Sequence, residues 1–361
     1  MKKRILTLML AGVMALSLTA CAAQQNSGTA KTEAAKTEAE KTEAENTESE
    51  NTEAEKPEES AGTQESAESS APETVTITSL NGSGEEIQLE VPYRPQRVAI
   101  LDMPSLDIID SLGEGGSVVG SASTSLDYLQ SYVTDEAVAN LGTIKEADLE
   151  AVMACEPDLI FIGGRLSSAY DDLSAIAPVV YLATDTEKGV VKSVYDNAAV
   201  IASIFGKEEE VEGLMEGFDA RIQKLAAFAE GKTAIVGLCT SGGFNILGND
   251  GRCSLIGNEI GFENIGLDAE TNTSTHGNEA SFEFVVEKNP EYIFVMDRDA
   301  AINAEGAQLA KEIVENELVM GTDAYKNGTI IYLEHPAVWY TAEGGIHALN
   351  IMLEDLEGVL A

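Results

Sequence analysis

Three arginines stand where an apolar run gives way to a loop. Arg165 follows Leu159–Ile162, Arg298 follows Tyr292–Met296, and Arg252 follows residues 244–251, a strand-like run closed by a glycine turn. A guanidinium is planar, permanently charged and multi-donor, so it suits oxyanions better than any other side chain. From residue 74 onward the arginines are Arg94, Arg97, Arg165, Arg221, Arg252 and Arg298, so half of them occupy such loop positions. Yet the 361-residue chain carries 22 Lys+Arg against 62 Asp+Glu, a formal net charge of −40. A cluster of cations in so negative a body has the chemistry of an anion site. The competing reading is local neutralisation, as of Arg298 by Asp297 or Asp299. The same net charge excludes a nucleic-acid binder that works by neutralising phosphates.

Two further residues offer metal chemistry. His276 lies in the polar loop Ser274-Thr275-His276-Gly277-Asn278, and Tyr340 lies in Trp339-Tyr340-Thr341, ahead of Gly344-Gly345. Imidazole is a common metal ligand, and a phenolate oxygen is a hard donor suited to ferric iron. Both also read as plain loop residues. As donors they would complete a metal that arrives mostly chelated; they would not build a site alone. With three histidines and four cysteines in all, neither a multi-histidine zinc site nor a disulfide scaffold is expected. His335 and His347 show no partner spacing and read as structural, and Cys155 reads as core. Whether Cys239 and Cys253 pair is left open by the sequence. There is no Gly-x-Ser-x-Gly elbow, Walker loop or His-Glu-x-x-His pair. Thr240–Gly243 is a small-residue loop better suited to presenting backbone than a nucleophile.

The elements that must position these residues read as α/β. A hairpin is expected over residues 74–91 around Asn81-Gly82-Ser83-Gly84, followed by a buried strand at 97–101 and a helix at 104–112. One unit occurs twice: Glu150 opens an amphipathic turn that stops at Pro157 and leads through a strand to Arg165, and Glu283 leads past Pro290 to Arg298 in the same way. The glutamate lies 7 residues before the proline and the arginine 8 after it in both copies. This predicts two similar α/β lobes, 74–192 and 231–361, with a cleft beyond the carboxyl ends of their strands. The lobes are joined by a helical segment, 193–230. Gly206 is expected to split that stretch. Its second part, with Val211, Leu214, Phe218, Ile222 and Leu225 at helical spacing, is expected to be one long rigid helix linking the lobes.

Ahead of this folded part lies an address and a tether. Residues 1–21 start with Lys2, Lys3 and Arg4, run apolar from Ile5 to Leu18, and end in Leu18-Thr19-Ala20-Cys21. That is a secretory signal, too short for a good membrane span, and its end resembles the bacterial lipobox. The resemblance implies lipidation of Cys21 and anchoring to the outer face of the cell membrane. Residues 22–73 hold 14 Glu against 4 Lys in Thr/Glu/Ala repeats, a composition that cannot repay the entropy of ordering and reads as a disordered linker. The remainder is itself strongly acidic.

From about residue 74 to its end the chain resembles the substrate-binding lipoproteins of ABC importers for iron–siderophore, haem and cobalamin. Within that class it is most like binders of catecholate siderophores of the enterobactin and petrobactin type. The resemblance is carried by Gly163-Gly164-Arg165, Gly248–Arg252, Ser274–Gly277, Ser281-Phe282-Glu283, Asp297–Ala300 and Trp339-Tyr340. It implies that Arg165, Arg252 and Arg298 contact catecholate oxygens, with Trp339 beside them. His276 and Tyr340 would ligate iron left open by a tetradentate siderophore. Glu150 and Glu283, one per lobe, would dock on the permease dimer, which works with its ATPases. Iron enters as part of the ligand, not as an intrinsic cofactor, and no catalysis is implied. The chain departs from the pattern at His335-Pro336, where Asp-Pro is usual, at Val338, and at Cys253-Ser254. The alternatives are a haem or cobalamin binder, which needs fewer arginines, a secreted metal-dependent enzyme using His276 and Tyr340, and a surface adhesin or sensor.

Overall fold

The computed structural model describes residues 72–268, 278–279 and 282–360. It opens on an antiparallel hairpin, β1 (Thr74–Leu80) and β2 (Glu86–Pro92), in register from Thr74↔Pro92 to Leu80↔Glu86. Asn81 closes the turn, its Oδ1 accepting from the backbone N–H groups of Ser83 and Glu85.

The first lobe comprises β3 (Val98–Leu101), α1 (Met103–Ser111), β4 (Val118–Ser121), β5 (Ala139–Asn140), α2 (Leu149–Ala154), β6 (Leu159–Ile162) and β7 (Val179–Tyr181). Its strands form one parallel sheet in the order β5-β4-β3-β6-β7. β3 and β6 are buried along their whole length, which is why they read as unbroken apolar runs. From β3 the chain moves to β4 and β5 on one side, then returns to β6 on the other. β3 and β6 therefore flank a topological switch point, where sheets of this kind open a crevice at their carboxyl ends.

The connecting segment differs from the expectation. It holds three helices, α3 (Val190–Phe205), α4 (Glu208–Met215) and α5 (Phe218–Ala229). Gly206, at φ 67°, ends α3 as expected, but Gly217, at φ 90°, also breaks the anticipated long helix. Helical spacing continues across Gly217 because apolar periodicity reports which face is buried and not whether the backbone turns left-handed between two such faces. The stiff member is α3, of 16 residues, or about 24 Å.

The second lobe comprises β8 (Thr233–Thr240), β9 (Gly243–Ile246), α6 (Ser254–Asn258), β10 (Glu263–Asn264), β11 (Asn278–Glu279), α7 (Phe282–Lys288), β12 (Tyr292–Asp297), α8 (Arg298–Ala301), β13 (Ile330–Tyr332), α9 (Pro336–Thr341) and α10 (Ile346–Leu360). Its sheet order is β11-β9-β8-β12-β13, with β10 beside the start of β8. β8, β12 and β13 are parallel, whereas β9 runs antiparallel to both of its neighbours, β8 and β11. The lobes share the duplicated helix–proline–strand unit, as α2–β6 and α7–β12, but not a single topology.

An acid of the first lobe caps a helix of the second, and an acid of the second lobe caps the connecting helix α3. Asp107 of α1 accepts from the backbone of His347 at 2.8 Å and Ala348 at 2.9 Å, in the first turn of α10, and from the Tyr128 hydroxyl at 2.7 Å. Gly345 makes room, since a Cβ there would fall 2.4 Å from the Asp107 carboxyl. In return Glu259, just after α6, accepts at 3.2 Å from the N–H of Val191 at the start of α3, which has no side-chain cap of its own. No helix among the described residues is long and apolar enough to cross a membrane.

Candidate functional site

The switch-point crevice is a cavity of about 310 Å³. From the first lobe it is lined by Asp102 and Ser105 after β3 and by Gly163, Gly164 and Arg165 after β6. From the second it is lined by Asp250, Gly251, Arg252, Tyr340, Thr341 and Glu343. Gly163 cannot be larger, because a Cβ would lie 2.2 Å from Asp102 Oδ1. Burial raises the Asp102 carboxyl above its usual range, against the Ser105 hydrogen bonds and the Arg165 charge.

Tyr340 organises the charge. The guanidinium carbons of Arg252, Arg165 and Arg298 lie 4.4, 5.6 and 5.8 Å from the centroid of its ring, each within cation–π range. Arg165 Nη2 and Arg252 Nε both donate to its backbone carbonyl, at 3.3 and 3.2 Å, and Arg298 Nε donates to its hydroxyl at 3.4 Å. Burial opposes ionisation of the phenol. The hydrogen bond from Arg298 and the charges of Arg252, Arg298 and Lys145 outweigh it and hold the phenol below its ordinary value. Burial, joined by the neighbouring Arg165, likewise makes Arg252 less basic than usual. Like charges gathered this way lower their own stability and attract an anion.

The matching family model, described as periplasmic binding protein, spans residues 98–337. The chain belongs to the periplasmic binding protein family. It is 34% identical over 270 residues to the petrobactin-binding protein YclQ of Bacillus subtilis, covering 74% of this chain and 83% of that one. It is 26% identical to the ferric-anguibactin-binding protein FatB of Vibrio anguillarum, over 74% of this chain and 84% of that one. Among solved structures, YclQ superposes with a TM-score of 0.72 at 33% identity, over 79% of this chain and 99% of that one. The periplasmic catecholate-siderophore binding protein VctP of Vibrio cholerae gives a TM-score of 0.70 at 30% identity, over 79% of this chain and 100% of that one. These neighbours carry the two-lobed α/β architecture that the duplicated unit predicts.

In this periplasmic binding protein the structure sorts the sequence-derived site residues. Arg165 and Arg252 line the cleft. Arg298 does not: its Nη1 pairs with Asp299 Oδ1 at 3.0 Å and donates to Thr240 Oγ1 at 3.2 Å. Buried Asp299 is itself held by Thr240 Oγ1 and the Ser241 N–H. Local neutralisation therefore applies to Arg298, which reaches the cleft only through Tyr340. Trp339 is a correction. It is 0% exposed, and its indole donates to Asp355 Oδ2 at 2.9 Å instead of facing the cavity. His276 and Cys21 lie outside the described residues. Glu150 and Glu283 are exposed in the first turns of α2 and α7.

His335 and His347 are structural, as expected. His335 shares a hydrogen bond with Asp355 at 2.6 Å, and its own N–H donates to the same carboxylate. His347 stacks on Tyr128 with centroids 5.5 Å apart. Glu334 stands near the His335–Asp355 pair, but Asp355 is already committed to three donors. Cys155, Cys239 and Cys253 are buried free thiols, and burial pushes Cys239 up to about 12.

Asp102 and Glu343 are cleft residues that no sequence pattern singled out, and Asp250, inside the Gly248–Arg252 run, was assigned no role there. Glu343 follows Tyr340 and precedes Gly344-Gly345. Burial pushes its carboxyl up to about 8, with Arg252 and the Cys253 N–H pulling it down and Glu259 adding to the rise. A larger cavity, about 720 Å³, lies against α3, α4 and the start of α5. It is lined by Lys188, Lys192, Glu212, Glu216 and Asp219 and holds none of the arginines gathered at the cleft.

Proposed function

We propose that this protein captures a ferric catecholate siderophore in the cleft and hands it to an ABC permease, without catalysis. The observation that carries the reading is the gathering of Arg165, Arg252 and Arg298 around Tyr340 in a chain of net charge −40. Two cleft guanidiniums meet the anionic chelate, and a phenol held below its ordinary pKa offers a hard oxygen to ferric iron. His276 is the second protein donor in this reading. The petrobactin, anguibactin and catecholate-siderophore binders among the relatives support the ligand class. Cys21 is the lipid anchor on the outer face of the membrane, and Glu150 and Glu283 are the docking acids for the two permease halves. These same assignments make the protein a carrier and not an enzyme, with iron as cargo.

The test is a fluorescence titration. Trp339 is the chain's sole tryptophan and neighbours Tyr340, so a bound ferric chromophore quenches it. Ferric petrobactin should quench strongly, and haem or a ferric hydroxamate little. Tight binding of haem with no response to ferric catecholates would replace this reading with the haem alternative.

A further inference from the structure

Glu343 is the acid of the cleft that the charge argument leaves unexplained. It lines the cavity with Arg252, Tyr340 and Thr341. Its Oε1 is shielded from solvent and has no hydrogen-bond partner among the described residues, although the backbone N–H of Cys253 donates to the carboxyl. The backbone that carries the side chain is fixed. The Glu343 carbonyl accepts from Thr184 Oγ1 at 3.2 Å, and the next residue, Gly344, sits at φ 119° where a Cβ would meet Thr184 Oγ1 at 2.4 Å.

A carboxylate held this way would be a buried charge with an orphaned oxygen, which is strongly unfavourable. A carboxylic acid is not, provided its O–H finds an acceptor. We propose that Glu343 is a specificity-determining residue of the cleft, presenting a carboxylic O–H to an acceptor oxygen of the bound ferric chelate. Burial holds the group at about 8, so the acid form dominates at neutral pH. The charged and titratable groups around it agree. Arg252 and Glu259 act on it directly, and Arg165, Asp102, Asp250 and Tyr340 share its cavity. A neutral Glu343 then adds a donor beside Arg252 and Arg165 and leaves Asp250 and Asp102 as the other acids of the cleft, where an ionised Glu343 would add to their repulsion of the ligand. The inference rests on the siderophore reading above.

The test uses ferric petrobactin as probe in isothermal titration with the wild type, Glu343→Gln and Glu343→Leu. The amide keeps a donor of the same shape, so Glu343→Gln should bind within roughly threefold of wild type, whereas Glu343→Leu, lacking one, should weaken binding by about tenfold or more. Repeating the wild-type and Glu343→Gln titrations at about pH 8, in two buffers of different ionisation heat, reads the proton bookkeeping. Wild type should take up more protons on binding than Glu343→Gln, because binding selects the acid form. Protonation of the ligand is common to both proteins and cancels in the comparison.

Equal proton uptake by wild type and Glu343→Gln overturns the inference and leaves the siderophore reading intact. So does wild-type affinity in Glu343→Leu. If none of the three proteins binds ferric petrobactin, both readings fall. Should the leucine variant not fold, the buffer comparison still decides.

Discussion

A phenol that is 3% exposed should resist ionisation, because its anion would be buried. Tyr340 is nevertheless held below its ordinary value by the Arg298 hydrogen bond and the surrounding guanidiniums. Arg298 thus reaches the cleft through Tyr340, while Arg165 and Arg252 line it. Arg298→Ala should move tyrosinate formation to higher pH in an ultraviolet difference titration and weaken ferric catecholate binding by about tenfold, since a charge-assisted hydrogen bond is lost. An unchanged tyrosinate titration in that variant would show that Arg298 serves only Asp299. The arginines were legible because each follows a strand that the sequence marks plainly. The local fate of Arg298 was not, because Asp297 and Asp299 flank it equally and only the helical turn of α8 decides. Asp297 caps that turn, and Asp299 takes the guanidinium. Trp339 and Tyr340 are adjacent on one helix, so their side chains point about 100° apart and cannot both face the cleft. Glu343 was hidden because its importance comes from burial between lobes, which no local spacing encodes.

At the scale of elements, the strands and the duplicated helix–proline–strand unit were readable because buried parallel strands are continuous apolar runs. What escaped was contact at long sequence separation. Asp107 reads as an ordinary acid on α1, yet it caps α10 some 240 residues later and takes the Tyr128 hydroxyl as well. Asp107→Ala would leave those donors without an acceptor in a buried junction, so it should destabilise the fold by about 2–4 kcal/mol in denaturant titration. A loss under about 1 kcal/mol would mean that water replaces the carboxylate and that the caps do not pin the lobes. Gly345→Ala, which pushes a methyl against the same carboxyl, should fail in the same direction. Because Asp107 and Glu259 clamp opposite helices across the junction, small adjustment between lobes fits this architecture better than wide closure. That conclusion survives the break at Gly217, though it no longer depends on a continuous connecting helix.

For the whole molecule, Glu150 and Glu283 stand exposed at equivalent places in the two lobes. Neither lines the cleft, and each sits in the first turn of the helix that precedes β6 or β12. Changing both to alanine should leave ferric siderophore affinity intact and abolish iron uptake by cells. Lost affinity would instead assign them to ligand binding.

The buried acids also set how the entire fold responds to pH. Burial raises the carboxyls of Asp102, Asp107, Glu259 and Glu343 above their ordinary values. Over the interval between the unfolded and folded values, the folded chain binds more protons than the unfolded one. Stability therefore falls as pH rises through that interval, and for Glu343 it extends from the usual glutamate range to about 8. Asp185 and Glu357 are shifted the opposite way by their pairing with Lys188 and Arg221, but these ion pairs lie near the surface and weigh little. The melting temperature should accordingly be several degrees higher at about pH 5.5 than at about pH 8. Glu343→Gln, which cannot ionise, should lose part of that slope. A melting temperature that stays level or climbs over the same range would mean that the junction acids are charged in the folded protein. In that case water or a cation would have to reach them, and the cleft would be less positive than its arginines imply.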